Sequence, residues 1–306
     1  MNIISYNKKN IHVHLLMLLS IILAASSFPV VALITNDLPP SILMFFRFFI
    51  ASLLFAPFVF LKHGFRFPGN LKIIHYVILS IPLVTFFWCM FESLRYTSVL
   101  NTGALYTTVP AITAFFAYII NRETSNKIKS TGLLLGTVGA LWIVFRGNFN
   151  SFINLDLNYG DLIFLTGCLF LGLYNPLVKR FYHNQPMAIM TFWVLFIGSL
   201  LLLIISADSL LLIEWNAISN NVYIGIVYLS LFSTLITFYL IHFSTVRIGP
   251  TNVAAYGFLT PLFVISISIL TGIEKFNMAI LPGLTLIIIS MMLIQFHRPK
   301  DPLKTS

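Results

Sequence analysis

Arg47 sits in the run "SILMFFRFFIASLLF" (41–55), a full positive charge among side chains that are almost all hydrocarbon. A guanidinium there has two uses. Its planar fork of N–H donors can fix a carboxylate in an interior, or its stem can snorkel so that the charged head reaches the headgroups. Glu92, near the outer end of the third apolar run, is the natural partner for an interior Arg47, with Trp88 four residues earlier on the same helical face. Facing an interior, Glu92 would be the residue able to take up and release a proton. At a surface it would pair with Arg95 instead.

Asn101 and Asn252 open the fourth and ninth apolar runs, and the spacing of Thr102 with Tyr106 and of Asn252 with Tyr256 puts each pair on one face. Such amides can bind a substrate, or they can cap and bridge helices. Tyr174 and Asn175 precede Pro176, whose missing N–H frees a backbone carbonyl inside a helix; a turn of this kind can line a site or simply kink. Catalytic patterns are another matter. The apolar runs hold no paired Asp, no HExxH and no Ser with a basic partner, and no GxxxxGK[ST] occurs. The histidines His63, His75, His183 and His242 fall near loops or helix ends without metal-ligand spacing, so an interfacial place is expected for them. Cys89 and Cys168 read as inert packing residues. Neither metal nor cofactor is expected.

The elements that must carry these residues follow from composition. Of 306 residues 58% are hydrophobic and 9% charged, and the mean hydropathy is +0.93; a soluble protein could not carry such values, so the partner is a lipid bilayer. Ten stretches approach the roughly 20 residues that a helix needs to cross about 30 Å of hydrocarbon. They lie near 13–34, 39–61, 72–94, 97–120, 128–146, 160–179, 187–207, 221–244, 250–271 and 278–297. An even number of spans places both termini on one side. If that side is the cytoplasm, fourteen Lys and Arg residues fall there, against Arg95, Arg146 and Lys275 outside. The bias is that of a positive-inside multi-pass protein with both termini cytoplasmic, and the expected location is a bacterial cytoplasmic membrane. The net charge of +9 is therefore a topology signal spread over short loops, and no nucleic-acid partner is expected.

The second half repeats the first. A shift of 151 lays Asn101 on Asn252, Ala104 on Ala255, Pro110 on Pro261, Glu123 on Glu274 and Gly132 on Gly283, while a shift of 147 lays Pro29 on Pro176, Pro39 on Pro186 and Phe45 on Phe192. The four-residue difference places a loop-length change between the second and third helix. Five helices per copy is odd, so the copies enter the membrane from opposite sides. The expected fold is an all-α membrane protein of ten transmembrane helices in two inverted five-helix repeats. The division is a tail (1–12), a first repeat (13–146), an external linker (147–159), a second repeat (160–297) and a tail (298–306). The "GLLLG" of 132–136 reads as close helix packing, with dimerisation the lesser option.

The stretches "AASSFPVVAL" (24–33), "RFFIASLLF" (47–55), "SLRYTSVLNTGALYTTVPAITAFFAYIINRE" (93–123) and "VRIGPTNVAAYGFLTPLFVISISILTGIE" (246–274) resemble the EamA-type transporters of the drug/metabolite transporter superfamily. The resemblance spans nearly the whole chain. It implies cytoplasmic termini, a central cavity lined by the first four helices of each half, peripheral fifth and tenth helices, and a recurrent arginine where Arg47 stands. It departs at Ala24-Ala25, where family members often carry Trp-Gly. The expected function is a secondary transporter and not an enzyme, with a membrane-embedded enzyme as the distant alternative. It would move a small organic metabolite, an amino acid or related compound, by alternating access, with export favoured and a multidrug or toxic-amphipath exporter as the alternative. The expected binding or pathway residues are Arg47, Trp88, Glu92, Asn101, Tyr106, Tyr174, Asn175, Asn252 and Tyr256. The expected partners are a small-molecule substrate and lipid, with the protein a monomer or homodimer.

Overall fold

A computed structural model describes residues 3–64, 68–123, 127–145, 147–150, 157–272 and 277–296. Ten apolar helices follow one another: α1 (His12–Ile34), α2 (Pro40–His63), α3 (Lys72–Ser93), α4 (Val99–Asn121), α5 (Lys127–Val144), α6 (Tyr159–Arg180), α7 (Met187–Leu211), α8 (Asn220–Ile248), α9 (Pro250–Leu270) and α10 (Met278–Ile294). Among the described residues the first nine are long and apolar enough to span a bilayer, and α10 is shorter. Arg66, Arg146, Asp156, Glu274 and Lys275 lie outside the described residues.

Local chemistry sets the helix ends. Pro40 and Pro250 begin α2 and α9, where a missing N–H costs nothing. Asn158 and Asp161 close a reciprocal capping box on α6. Gly249 turns the chain from α8 into α9 at φ 86°, ψ 154°, a backbone conformation open to glycine and strained for other residues.

The repeat is visible in which helices touch. α3 packs on α6 as α8 packs on α1, α2 packs on α8 as α7 packs on α3, and α2–α7, α4–α9 and α5–α10 are each their own counterpart. The interruptions match as well. In α4 the helix tightens to a 3₁₀ turn over Tyr106–Thr108 before Pro110, and in α9 over Tyr256–Leu259 before Pro261. Pro110 and Pro261 cannot donate to the turn before them, which is why the tightening falls there.

α5 and α10 form a pair at the edge. A Cβ on Gly132 would stand 2.8 Å from Ile294, and one on Gly139 would stand 2.7 Å from the Gly283 carbonyl. The Ser290 hydroxyl donates to the Gly132 carbonyl at 2.5 Å. Within "GLLLG", Gly132 serves close packing of α5 on α10, while Gly136 faces Phe258 of α9 as well as Ser290 of α10.

Candidate functional site

α2 brings Arg47 into the bundle centre, where it is 0% exposed. Opposite it, α8 leaves α-helical geometry and forms a π-helix over Leu229–Ile236. Arg47 Nε donates to Thr234 Oγ1 at 2.5 Å, and Nη2 donates to the Ser233 carbonyl at 3.2 Å and its hydroxyl at 3.3 Å. Helices loosen where a foreign side chain enters their backbone ladder, and the bond from Arg47 to a mid-helix carbonyl is such an entry. The guanidinium lies 4.2 Å from the centre of the Phe87 ring, whose electron-rich face favours a cation. Nη1 is buried with no partner among the described residues.

The shifts found in the sequence explain this arrangement. Adding 147 to Arg47 gives Val194, and adding 151 to Pro82 gives Ser233. In the counterpart contact of α7 with α3, the Ser80 hydroxyl donates directly to the Val194 carbonyl at 2.9 Å. Both halves therefore tie the second helix of one repeat to the third helix of the other by a polar contact. Only the first half uses a charge for it. Snorkelling is ruled out for Arg47, and so is the partner expected for it. Glu92 pairs with Arg95 at 3.5 Å, three residues along the same helix end.

A cavity opens beside Arg47, walled by α1, α2, α3, α4, α6, α8 and α9. Its water-accessible space is about 50 Å³, room for a few water molecules and well below the 300 Å³ or more of a metabolite pocket. The structure is thus a constricted one. Most of the wall is apolar or aromatic, including Phe28, Phe86, Phe87, Tyr106 and Phe238. Ser27 and Phe28 on α1 and their counterparts under the 147 shift, Tyr174 and Asn175 on α6, all face it. The Asn175 side-chain oxygen is buried without a partner among the described residues. α5 and α10 stay outside the wall, and α7 also contributes nothing to it.

Of the nine residues expected at a site, Arg47, Tyr106, Tyr174 and Asn175 line the cavity. The other five do not. Trp88 is 41% exposed, because its position on α3 faces away from the interior. Asn101 lies at the bundle end where Glu92 and Arg95 pair, and its amide donates to Asp161 at 3.4 Å. Asn252 lies at the other end, accepting from Lys129 Nζ at 3.0 Å and donating to the Ile248 carbonyl at 2.7 Å. The Tyr256 hydroxyl pairs with His14 Nδ1, and its neighbour Gly257 faces the cavity in its place. The amides are helix-bridging groups here.

Sequence reasoning missed Ser233 and Thr234, although three hydroxyl residues in "SLFST" (230–234) within an apolar run were a usable signal. It also misplaced His242. That residue is 1% exposed, with Nε2 bonded to the Tyr174 hydroxyl and Nδ1 2.7 Å from Thr191 Oγ1. The interfacial reading is corrected because α8 runs on to Ile248, six residues beyond the histidine.

The model of the EamA-like transporter family matches residues 12–145 and again 158–296. The chain belongs to that family. The transporter is similar to an uncharacterized transporter of Archaeoglobus fulgidus, 25% identical over 83% of this chain and 87% of the relative. It is also similar to the uncharacterized transporter YyaM of Bacillus subtilis, 23% identical over 93% of each, and more distantly to the chloroplastic WAT1-related protein At3g02690 of Arabidopsis thaliana, 23% identical over 69% of this chain and 51% of that one. One solved crystal structure shares its fold with a TM-score of 0.69 at 15% identity, covering 92% of the transporter and 96% of its own chain.

Proposed function

We propose that this multi-pass membrane transporter moves a small organic acid, an amino acid or a related carboxylate with an apolar body, by alternating access at the Arg47 cavity. One observation carries the reading: among the described residues, Arg47 holds a buried N–H group without a partner at a cavity that has no carboxylate in its lining. Burying a cation without a counter-charge costs several kcal/mol. A carboxylate entering the cavity would repay it through Nη1, while aromatic faces take the apolar body. The same chemistry disfavours the multidrug alternative, since cationic amphipaths would meet a fixed positive charge and no acid. The constricted volume supports a cycle in which the walls part for the substrate. Residues 13–146 and 160–297 are its two inverted repeats, an arrangement that gives outward- and inward-open states of similar energy. The Lys and Arg bias supports cytoplasmic termini, and we take export as the working direction.

The test uses purified protein in liposomes and measures, in both directions, flux of phenylalanine, phenylpyruvate and phenethylamine. Carboxylate flux is expected in the wild type, loss of at least tenfold in Arg47→Ala, and partial recovery in Arg47→Lys, which keeps the charge and loses the fork. Phenethylamine flux that survives Arg47→Ala, with no carboxylate flux in the wild type, would refute the reading.

A further inference from the structure

His242 is a titratable side chain buried in the bundle and held between two hydroxyls, Tyr174 Oη on Nε2 and Thr191 Oγ1 on Nδ1. Tyr174 lines the cavity that Arg47 lines. The site thus joins three helices: α8 supplies the imidazole, α6 the phenol and α7 the threonine. No Asp or Glu bonds to the ring among the described residues. Other charged or titratable groups on the helices packed against α8 are engaged elsewhere or lie distant. Arg47 on α2 holds Ser233 and Thr234, about two turns from His242. His14 on α1 pairs with Tyr256 on α9, Lys179 at the end of α6 pairs with Glu123, and Asp208 is exposed at the far end of α7.

Two hydroxyls suit both charge states of an imidazole. A neutral ring has one N–H and one bare nitrogen, so one hydroxyl accepts from it and the other donates to it; an imidazolium donates to both. The ring can therefore gain a proton with both hydrogen bonds kept, at the cost of a buried charge that an entering carboxylate offsets. The consequence falls on Tyr174. When Nε2 is bare, the Tyr174 hydroxyl spends its hydrogen on the ring. When Nε2 carries a proton, the hydroxyl accepts from the ring, and its own hydrogen must find another acceptor.

We propose that His242 is the proton-binding group of this transporter, and that Tyr174 relays its charge state to the substrate by offering a hydrogen bond into the cavity only when His242 is protonated. The proposal rests on the reading of Arg47 as the anchor of a carboxylate. A proton from the cavity side adds to the Tyr174 oxygen as the Tyr174 hydrogen passes to Nε2, Nδ1–H stays on Thr191 Oγ1, and the new Tyr174 O–H is free for the carboxylate in the cavity. Proton and anion then favour each other, and by linkage each raises the affinity for the other by the same factor. A carboxylate and a proton crossing together move no net charge. The pair takes over the coupling role that Glu92 loses by lying at the bundle end.

Two measurements on the full-length purified protein test this. The first labels histidine rings with ¹⁵N and assigns His242 by the signal absent from His242→Gln. The signal is expected to move toward the protonated ring as the pH is lowered from 8 to 5. The second measures phenylpyruvate binding by equilibrium dialysis over the same range. Wild-type affinity is expected to fall about tenfold per pH unit above the His242 midpoint, as one linked proton requires. His242→Gln is expected to bind with no pH dependence, and Tyr174→Phe to lose the pH dependence while its His242 still titrates, so the case stands on the second variant if the first does not fold. A His242 signal that stays fixed from pH 5 to 8 overturns the proposal. A titrating His242 with pH-independent wild-type binding overturns the relay through Tyr174. A titrating His242 in a protein that binds no phenylpyruvate at any pH sinks the carboxylate reading of Arg47 and the coupling with it, leaving a proton site alone.

Discussion

Arg47 meets a threonine hydroxyl, a serine hydroxyl with its carbonyl, and the face of Phe87. These neutral contacts soften the burial of a charge without cancelling it, because none carries the opposite sign. Replacing the residue with an apolar one of similar length should relieve that cost. Arg47→Met is expected to keep the fold and to unfold at the wild-type temperature or above, with a gain of up to about 4 kcal/mol, while losing carboxylate binding. Thermal unfolding in detergent checks it, and a drop of several degrees would make the guanidinium a brace for the π-helix rather than a substrate group. The sequence made Arg47 legible because a charge cannot be hidden in an apolar run. It left the choice of partner open, since Glu92 and Arg95 three residues apart satisfy each other as well as Glu92 and Arg47 could. His242 was illegible for a different reason. With α8 read as ending near residue 244 it looked like an end residue, and only the tertiary fold shows two hydroxyls from other helices closing over it.

At the scale of elements, the ten apolar helices and the matched breaks in α4 and α9 are written in local chemistry: length, hydropathy, and Pro110 and Pro261 in register. The π-helix of α8 is not. Arg47 from α2 bonds to the Ser233 carbonyl within it, a contact that residues 229–236 alone do not announce. The α5–α10 pair lies between these cases, with small residues that announce close packing without saying against what. Gly139 faces the Gly283 backbone carbonyl, which cannot swing aside as a flexible side chain could. Gly139→Leu is therefore expected to push the two helices apart and to cost about 1 to 3 kcal/mol or more. Gly69→Leu has nothing within 4 Å of its added Cβ and serves as the control. The check is the thermal midpoint of each variant. Equal midpoints for the two would mean that the pair yields without cost.

On the scale of the whole molecule, polar ties hold both ends of the bundle while the cavity between them stays narrow. At one end Asp161 on α6 accepts from Thr97 Oγ1 at 2.6 Å and from Asn101, and Arg95 donates to the carbonyls of Thr35 and Leu38. At the other, Lys179 on α6 pairs with Glu123 at 2.6 Å, Thr251 donates to the same carboxylate at 3.1 Å, and Lys129 reaches Asn252. Alternating access requires one set to part while the other holds. The Glu123–Lys179 pair bridges the ends of α4 and α6 with side chains 24% and 40% exposed, so solvent screens it and its worth is about 1 kcal/mol or less. A tie of that size suits a gate, since breaking it shifts the balance of states without stranding the protein in one of them. Glu123→Gln should then favour opening at the Lys179 end by no more than about fivefold. The readout is a cysteine at position 175 on the cavity wall, with Cys89 and Cys168 replaced by alanine, labelled by a membrane-impermeant maleimide supplied to that end. A rise of up to about fivefold in labelling rate is expected, with a fall when the reagent is supplied to the Asp161 end. An equal rise from both ends would mean that the variant has loosened the bundle as a whole, and the Glu123–Lys179 pair would then be a structural tie and not a gate.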